Sequence, residues 1–388
     1  MQRLVSLGLL VAVVGGGWSL LNGLDPGTVR QAAKTVGTAI SQQVAQAQAP
    51  TQPPAYGQPS TPGYGVPQRQ TTAAPTGVPG APGYGAFGAA PAAGAPPTIR
   101  IASFNIQTFG DKKASRPDVM WRLAQIVRSF DVLAIQEIRT QDDYFISKFL
   151  RDYVNRGVPA GGELYDARVS ERLGRTSSTE QYAYVFNTAR VEAHPNYSFV
   201  VPDPEDRLHR PPYVSFFRTR VAPPLTPFTF LLLNVHTDPD EALDEMNALY
   251  PVYQQAQRAT IGGVVEDDVI LLGDLNTAVA APSRYQPEIR SQGLLPRDIG
   301  LLARVPGISP LVRSEATNTI GNRLHDNLLI PSYQTIEFTG RSGVFDLRSD
   351  FGEMLTLDAA KRVSDHLPVW GEFSAVEGAA MRSVASRR

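Results

Sequence analysis

The stretch that most constrains the fold is Val269-Ile270-Leu271-Leu272-Gly273-Asp274-Leu275-Asn276. Four consecutive apolar residues, preceded by Glu266, Asp267 and Asp268, leave no face for water and read as a fully buried strand. Gly273 ends the run, and Asp274 and Asn276 then project where the strand leaves the core. Residues two apart in an extended chain point the same way, so both side chains address one point. A hard divalent cation such as Mg²⁺ wants oxygen ligands on a stiff support of this kind. Gly-Asp-x-Asn alone reads equally well as a polar strand-to-loop turn, and the rest of the chain decides between them.

The chain changes character along its length. Leu4 to Leu21 is uncharged and apolar behind Arg3, so residues 1–22 are a signal anchor or a signal peptide. The span is long for a signal, and the nearest small-x-small pattern, Ala45-Gln46-Ala47-Gln48-Ala49, lies well downstream. An uncleaved anchor is the preferred reading, and Arg3 then leaves everything after it outside the cytoplasm. Secretion after cleavage is the alternative. Within residues 23–49, Val29, Ala33, Val36, Ile40 and Val44 recur at helical spacing, either as an amphipathic helix or as a partly helical stalk. Residues 50–97 hold twelve prolines, nine glycines and a single charge, Arg69, and cannot form a core; they read as a disordered linker. Residues 98–376 have the composition of one globular domain, and 377–388 form a tail.

Charge and cysteine content narrow the chemistry. Residues 1–97 carry four basic and one acidic side chain, and residues 377–388 three and one, so the domain between them has a net charge of −6. A nucleic-acid partner would have to be held by local arginines and metal ions rather than by a broad basic face. The absence of cysteine excludes disulfides, thiolate metal sites and a cysteine nucleophile.

Strands and helices alternate through the domain. Ile99–Ile106 and Asp131–Ile138 read as strands, with a helix between them that opens at Pro117 and turns Val119, Met120, Leu123, Ile126, Val127 and Phe130 inward. A helix is expected near Asp142–Val154. Strands follow at Tyr182–Asn187, Tyr197–Val201, Tyr213–Arg220 and Phe228–His236. The next helix follows Pro239, with Ala242, Leu243, Met246 and Leu249 inward and a kink at Pro251. The Val269 strand, a long irregular stretch, and strands at Arg323–Ile330 and Leu367–Phe373 complete the domain. The pattern predicts an α/β (α+β) four-layer sandwich, two packed β-sheets flanked by helices.

Polar residues recur at the ends of these strands. Asn105 ends the first; Gln136, Glu137 and Arg139 end the second; Asn234 and His236 end the strand before the Pro239 helix. Asp274 and Asn276 end the Val269 strand, Asp326 and Asn327 interrupt the next, and Ser364-Asp365-His366 precede the last. One such residue is ordinarily a turn former. Six ends bearing carboxylate, amide or imidazole groups call for a common purpose.

Ile101-Ala102-Ser103-Phe104-Asn105-Ile106-Gln107-Thr108-Phe109-Gly110, Gln136-Glu137-Ile138-Arg139, Gly273-Asp274-Leu275-Asn276 and Ser364-Asp365-His366 together resemble the endonuclease/exonuclease/phosphatase superfamily. Phe104 to Gly110, and the run from Asn234-Val235-His236 to Tyr250, look most like the deoxyribonuclease I branch. The resemblance spans 98–376 and implies a residue-by-residue assignment. Glu137, with Asn105 beside it, matches the principal Mg²⁺ (or Mn²⁺) ligand. Asp274, Asn276 and Asp365 match the cluster that binds metal and the scissile phosphate. His236 and His366 match the catalytic histidines, oriented by Glu180 and Asp326. Arg139 and Arg210 match arginines that contact DNA. Two departures stand out: Ser178 occupies a position often held by a DNA-stacking tyrosine, and the loops that disulfides tie in the animal enzymes must rely on packing or a structural Ca²⁺.

The implied activity is metal-dependent hydrolysis of a phosphodiester, with DNA as substrate outside the cytoplasm. It requires an activated water, neutralised charge on phosphorus and a stabilised leaving oxygen. Two His–carboxylate pairs supply one base and one acid. His366/Asp326 is assigned to water and His236/Glu180 to the leaving group, and the exchanged roles stay open. A phosphatase or sphingomyelinase of the same superfamily, and a non-catalytic binding module on a stalk, are the competing expectations. The membrane is a partner only through residues 1–22, and no protein partner is legible.

Overall fold

The computed structural model describes residues 97–158, 162–176 and 179–378. The anchor or signal, the helix and the linker read from residues 1–96, the tail beyond Gly378 and Ser178 lie outside the described residues. Among the described residues no helix is long and apolar enough to cross a membrane.

In chain order the elements are β1 (Thr98–Phe109), α1 (Asp111–Ala114), α2 (Pro117–Arg128), β2 (Val132–Ile138), α3 (Phe145–Phe149), β3 (Tyr165–Val169), β4 (Gln181–Asn187) and β5 (Val191–Val200). There follow β6 (Tyr213–Thr219), β7 (Thr229–His236), α4 (Ala242–Ala256), the hairpin β8 (Thr260–Ile261) and β9 (Val264–Val265), and β10 (Val269–Ala280). The chain ends with β11 (Ile308–Pro310), β12 (Arg323–Pro331), β13 (Phe338–Val344), α5 (Leu357–Val363) and β14 (Val369–Ser374). One six-stranded sheet runs β13-β14-β1-β2-β4-β3 and the other β11-β12-β10-β7-β6-β5. In each, two adjacent parallel strands, β1 with β2 and β7 with β10, lie within otherwise antiparallel neighbours.

Side-chain alternation builds the layers. In β1, Ile99 and Ile101 enter the core between the sheets, beside Val132, Ala134, Phe230, Ile270, Leu272 and Phe373. Ala102, Phe104 and Ile106 face the other way, onto Val119, Leu123 and Val127 of α2, Phe149 of α3 and Val363 of α5. The Val269 run is buried on both faces, as its lack of polar residues requires. Ile270 and Leu272 join the inter-sheet core, while Val269 and Leu271 are equally buried and Tyr253 of α4 donates to the Val269 carbonyl at 2.8 Å. The result is two packed mixed sheets with helices outside them, the sandwich that the strand–helix alternation predicts.

Local differences have local causes. The helix expected to Val154 is α3 continued by a π turn over Leu150–Val154, closed by Asn155 N–H on the Leu150 carbonyl at 2.7 Å. Leu243, expected inward, is 51 % exposed, and Glu245 is buried in its stead. Apolar periodicity overlooks Glu245 because it is buried for its carboxylate, which accepts the backbone N–H groups of His209 and Asp238. Helix α4 continues through Pro251 to Ala256. The edge strands β3 and β13 escape the sequence reading because they are half-exposed and carry no apolar alternation.

Candidate active site

The central strands lose their regular register where their polar ends begin. Pairing shifts between Asn105 and Phe109 on β1, between Ile135 and Ile138 on β2, and between Asp274 and Val279 on β10. Thr108, Glu137, Asn276 and Ala278 take positive φ of 49°, 61°, 47° and 51° at these places. Bulges of this kind re-aim side chains. Gly273 has φ 153°, and a Cβ there would lie 1.8 Å from the Val235 carbonyl oxygen, so only glycine lets β10 approach β7 this closely.

The re-aimed groups form one connected set. The fully buried Asn105 donates from Nδ2 to Glu137 Oε1 at 3.2 Å and to Asp274 Oδ2 at 3.0 Å. Glu137 Oε2 accepts the Thr108 N–H at 2.9 Å. His236 Nδ1 lies 2.8 Å from Glu180 Oε1, and His366 Nδ1 lies 2.9 Å from Asp326 Oδ2. The outer Nε2 atoms of the two imidazoles converge on Asp274 Oδ2, at 3.5 and 3.6 Å. A crevice of about 400 Å³ opens over this point, lined among others by Glu137, Arg139, Arg210, His236, Asp274 and His366.

Each remaining site residue has a defined place. Asp365 accepts Gln107 Nε2 on Oδ2 at 2.7 Å, while its buried Oδ1 has no hydrogen-bond partner. Asn276 donates to the Thr237 carbonyl at 2.8 Å, and its own N–H caps Asp274 Oδ1 at 3.0 Å. Arg139 lines the crevice with Nε 3.4 Å from Glu137 and Nη2 3.4 Å from Glu180. Arg210, expected on DNA, is only 7 % exposed. Its guanidinium donates to the His236 and Thr237 carbonyls at 3.0 and 3.3 Å and sits 3.7 Å from Glu180 Oε1.

Electrostatics treats the two pairs differently: Glu180 is lowered, whereas burial pushes the Asp326 carboxyl up against the attraction of His366. Burial favours neutral Glu180, but His236, Arg210 and Arg139 outweigh it and keep its pKa below the usual carboxylate value. Burial likewise opposes charge on the imidazoles. Glu180 and Asp274 nevertheless raise His236, and Asp326 and Asp274 raise His366 well above its ordinary value. Asp274, though buried, is lowered by the two histidines that face it.

Two further residues support the site. Thr317 donates to Asp326 Oδ2 at 2.8 Å from within the long irregular stretch, where no periodicity marks it. Gln107 fixes Asp365, and its signal was available: two residues after Asn105 in a strand, it shares that face.

Asn105 Oδ1, buried and unpartnered beside Glu137, and the unpartnered buried Asp365 Oδ1 are oxygens of the kind a hard cation needs. Asp274, Asp326 and His366 also lie close enough to ligate one ion. His366 Nδ1 is already engaged by Asp326, however, and its nitrogen suits Mg²⁺ less well than the oxygens on the Glu137 side.

Comparison with known proteins agrees with this geometry. Residues 102–366 match the Endonuclease/Exonuclease/phosphatase family. Deoxyribonuclease-1 of Bos taurus is 28 % identical over 287 residues, covering 70 % of this chain and 91 % of the relative. Deoxyribonuclease-1-like 2 of Mus musculus is 34 % identical over 285 residues, covering 70 % and 90 %. The chain therefore belongs to the endonuclease/exonuclease/phosphatase family of hydrolases, close to deoxyribonuclease I.

Proposed function

We propose that the chain is a divalent-metal-dependent DNA endonuclease. The observation that carries the reading is the convergence of two His–carboxylate pairs on one point, Asp274 Oδ2, beside Glu137 and Asn105. A phosphate in the crevice over that point would have both imidazole Nε2 atoms to hand, the one base and one acid that phosphodiester hydrolysis needs. DNA as the substrate is suggested by the deoxyribonuclease names of the relatives.

Glu137, Asn105, Asp274 and Asp365 are the residues that would hold Mg²⁺ or Mn²⁺. A bound ion there supplies Lewis-acid neutralisation of the phosphate and the leaving oxygen. In its neutral form, which the attraction of Asp326 and Asp274 opposes, His366 is assigned to accept the proton of the attacking water at Nε2, and the exchanged roles of the two histidines stay open. His236, held by Glu180, delivers a proton from Nε2 to the departing oxygen. Glu180 and Asp326 fix the tautomer of each ring, and Asn276 keeps Asp274 turned toward both. Arg210, in the crevice wall, holds the His236 pair, and Arg139 is the more exposed guanidinium lining the crevice.

The test is incubation of the purified chain with plasmid DNA, a phosphomonoester and sphingomyelin, with Mg²⁺ or with chelator. Nicking of the plasmid that chelator abolishes is the expected result. Preferential turnover of the phosphomonoester or of sphingomyelin would make it a phosphatase or sphingomyelinase instead, and no turnover at all a binding module. Action outside the cytoplasm rests on the uncharged Leu4–Leu21 segment. Release of an active fragment from intact cells by external protease is the measurement that checks it.

A further inference from the structure

Beside the catalytic crevice runs a second groove, of about 410 Å³. Lys112, Lys113 and Arg116 come to it from α1 and the turn after it, and Lys361 and Arg362 from the last turn of α5. Asp358 is the one acidic residue that lines it. None of the five cations forms an ion pair among the described residues. Elsewhere the arginines are widely matched, as in Arg122 with Glu353, Arg175 with Asp206 and Glu241, and Arg341 with Glu372. Five cations without an ion pair, against the one lining carboxylate of Asp358, leave this groove with a local excess of positive charge in a domain of net charge −6. Lys113 is the extreme case, 8 % exposed, with burial pushing its pKa down against the attraction of Asp365 and Glu137.

The groove adjoins the catalytic groups. Gln107 lines it and donates to Asp365; Thr108 lines it and donates its N–H to Glu137. We infer that this groove binds phosphates of the cut nucleic-acid strand next to the phosphate being hydrolysed, and so acts as the electrostatic grip of the enzyme. The inference rests on the nuclease reading and adds to it where the polymer lies. A helix-dipole account explains Lys361 and Arg362 at the end of α5, but not their convergence with three cations from another segment. A polymer is favoured over a small anion because the groove and the crevice are adjacent phosphate sites, and only a chain of phosphates fills both.

The test uses the full chain with Lys112→Gln, Arg116→Gln and Arg362→Gln combined, leaving every catalytic residue in place. Initial rates are measured on plasmid DNA and on bis-p-nitrophenyl phosphate from about 50 to 200 mM salt. Each lost phosphate contact removes about 0.9 from the slope of log affinity against log salt, so the triple variant should flatten that slope by about 2–3. DNA cleavage should fall roughly ten- to hundredfold at low salt, with turnover of the small diester unchanged. An unaltered slope, or an equal loss on both substrates, overturns the inference. If the unmodified chain hydrolyses the small diester but never DNA, the nuclease reading fails by itself. Binding of a short labelled duplex then decides the groove: salt-sensitive binding that the triple variant loses supports it, and unchanged binding overturns it. Inorganic phosphate displacing the duplex at equal concentration would make the groove a small-anion site and also overturn it.

Discussion

Arg210 separates positioning from substrate contact. Its guanidinium makes two hydrogen bonds to backbone carbonyls, at 3.0 and 3.3 Å, and faces the fully buried Glu180 at 3.7 Å. Arg210→Ala removes all three and leaves Glu180 with one cationic partner fewer. Hydrogen bonds to a charged group contribute about 1.5–3 kcal/mol each, and breaking a buried pair costs about 3–5 kcal/mol. A loss of stability of about 3–5 kcal/mol is therefore expected, read as a lowered denaturant midpoint. His236 and Thr237 are the residues whose carbonyls are released, so the His236 ring loses its fixed position over the crevice. A penalty of about 1.4–2.7 kcal/mol in the transition state corresponds to a roughly ten- to hundredfold fall in kcat/KM. Because the damage is to the His236–Glu180 pair, plasmid DNA and bis-p-nitrophenyl phosphate should lose the same factor. Arg210→Lys should recover only part of it, since an ammonium cannot fork between two carbonyls and a carboxylate. Full turnover of the small diester together with impaired DNA cleavage would refute the reasoning and restore Arg210 as a DNA contact.

Glu137→Gln should abolish cleavage of both substrates at saturating Mg²⁺ and weaken Mg²⁺ binding by calorimetry while the chain still folds cooperatively; near-normal turnover would remove Glu137 from the metal site. Asp326→Asn should cost about 10²- to 10⁴-fold in kcat by releasing the His366 tautomer, and a loss of only a few-fold would place general catalysis elsewhere. Burial and the neighbouring Glu337 push Asp268 up to about 9, so it binds a proton in the fold that the unfolded chain releases near pH 4. That stability is complete below the unfolded pKa and lost as pH rises toward about 9. Asp268→Asn should thus raise the melting temperature at pH 8 by several degrees and hardly change it at pH 4, and a fall at pH 8 would show that the native cluster is neutralised in another way.

The legible part of the molecule was what short-range pattern encodes. Val269–Leu272 announced a strand covered on both faces, and the inward stripe of α2 came directly from its 3.6-residue spacing. The strand-end groups were visible as types, because Asn105, Glu137, Asp274 and His236 each follow an apolar run. Their partnerships were not. Glu180 meets His236 across 56 residues and Asp326 meets His366 across 40, separations at which no spacing rule operates, so only the resemblance to a family supplied them. Arg210 shows the same limit from the other side: a sequence displays its charge, which suggests DNA, but not the carbonyls of His236 and Thr237 that engage it at the crevice wall. The basic groove was hidden for a similar reason: it joins residues from opposite ends of the domain, and the net charge of −6 argued against any such face.

The irregular backbone at the strand ends is what turns a sandwich into a site. A regular strand sends alternate side chains to opposite faces, so a strand ending in regular register would place its last groups in one of the two cores. The register shifts on β1, β2 and β10 break that alternation at one end of both sheets, which frees Glu137 and Asn276 to turn into the crevice. A non-glycine residue in the left-handed region costs on the order of 1 kcal/mol or more, and Thr108, Glu137, Asn276 and Ala278 all sit there. Hydrogen bonds within the site offset the cost: Thr108 N–H to the Glu137 carboxylate, Asn276 N–H to the Asp274 carboxylate, Thr237 N–H to the Asp274 backbone carbonyl, and Asn276 Nδ2 to the Thr237 carbonyl. The carboxylates proposed to carry the chemistry are thus the same groups that hold the strained backbone in place. Neutralising one should loosen the geometry of its neighbours, so paired variants of Glu137 and Asp274 ought to cost far less than the product of the two single losses.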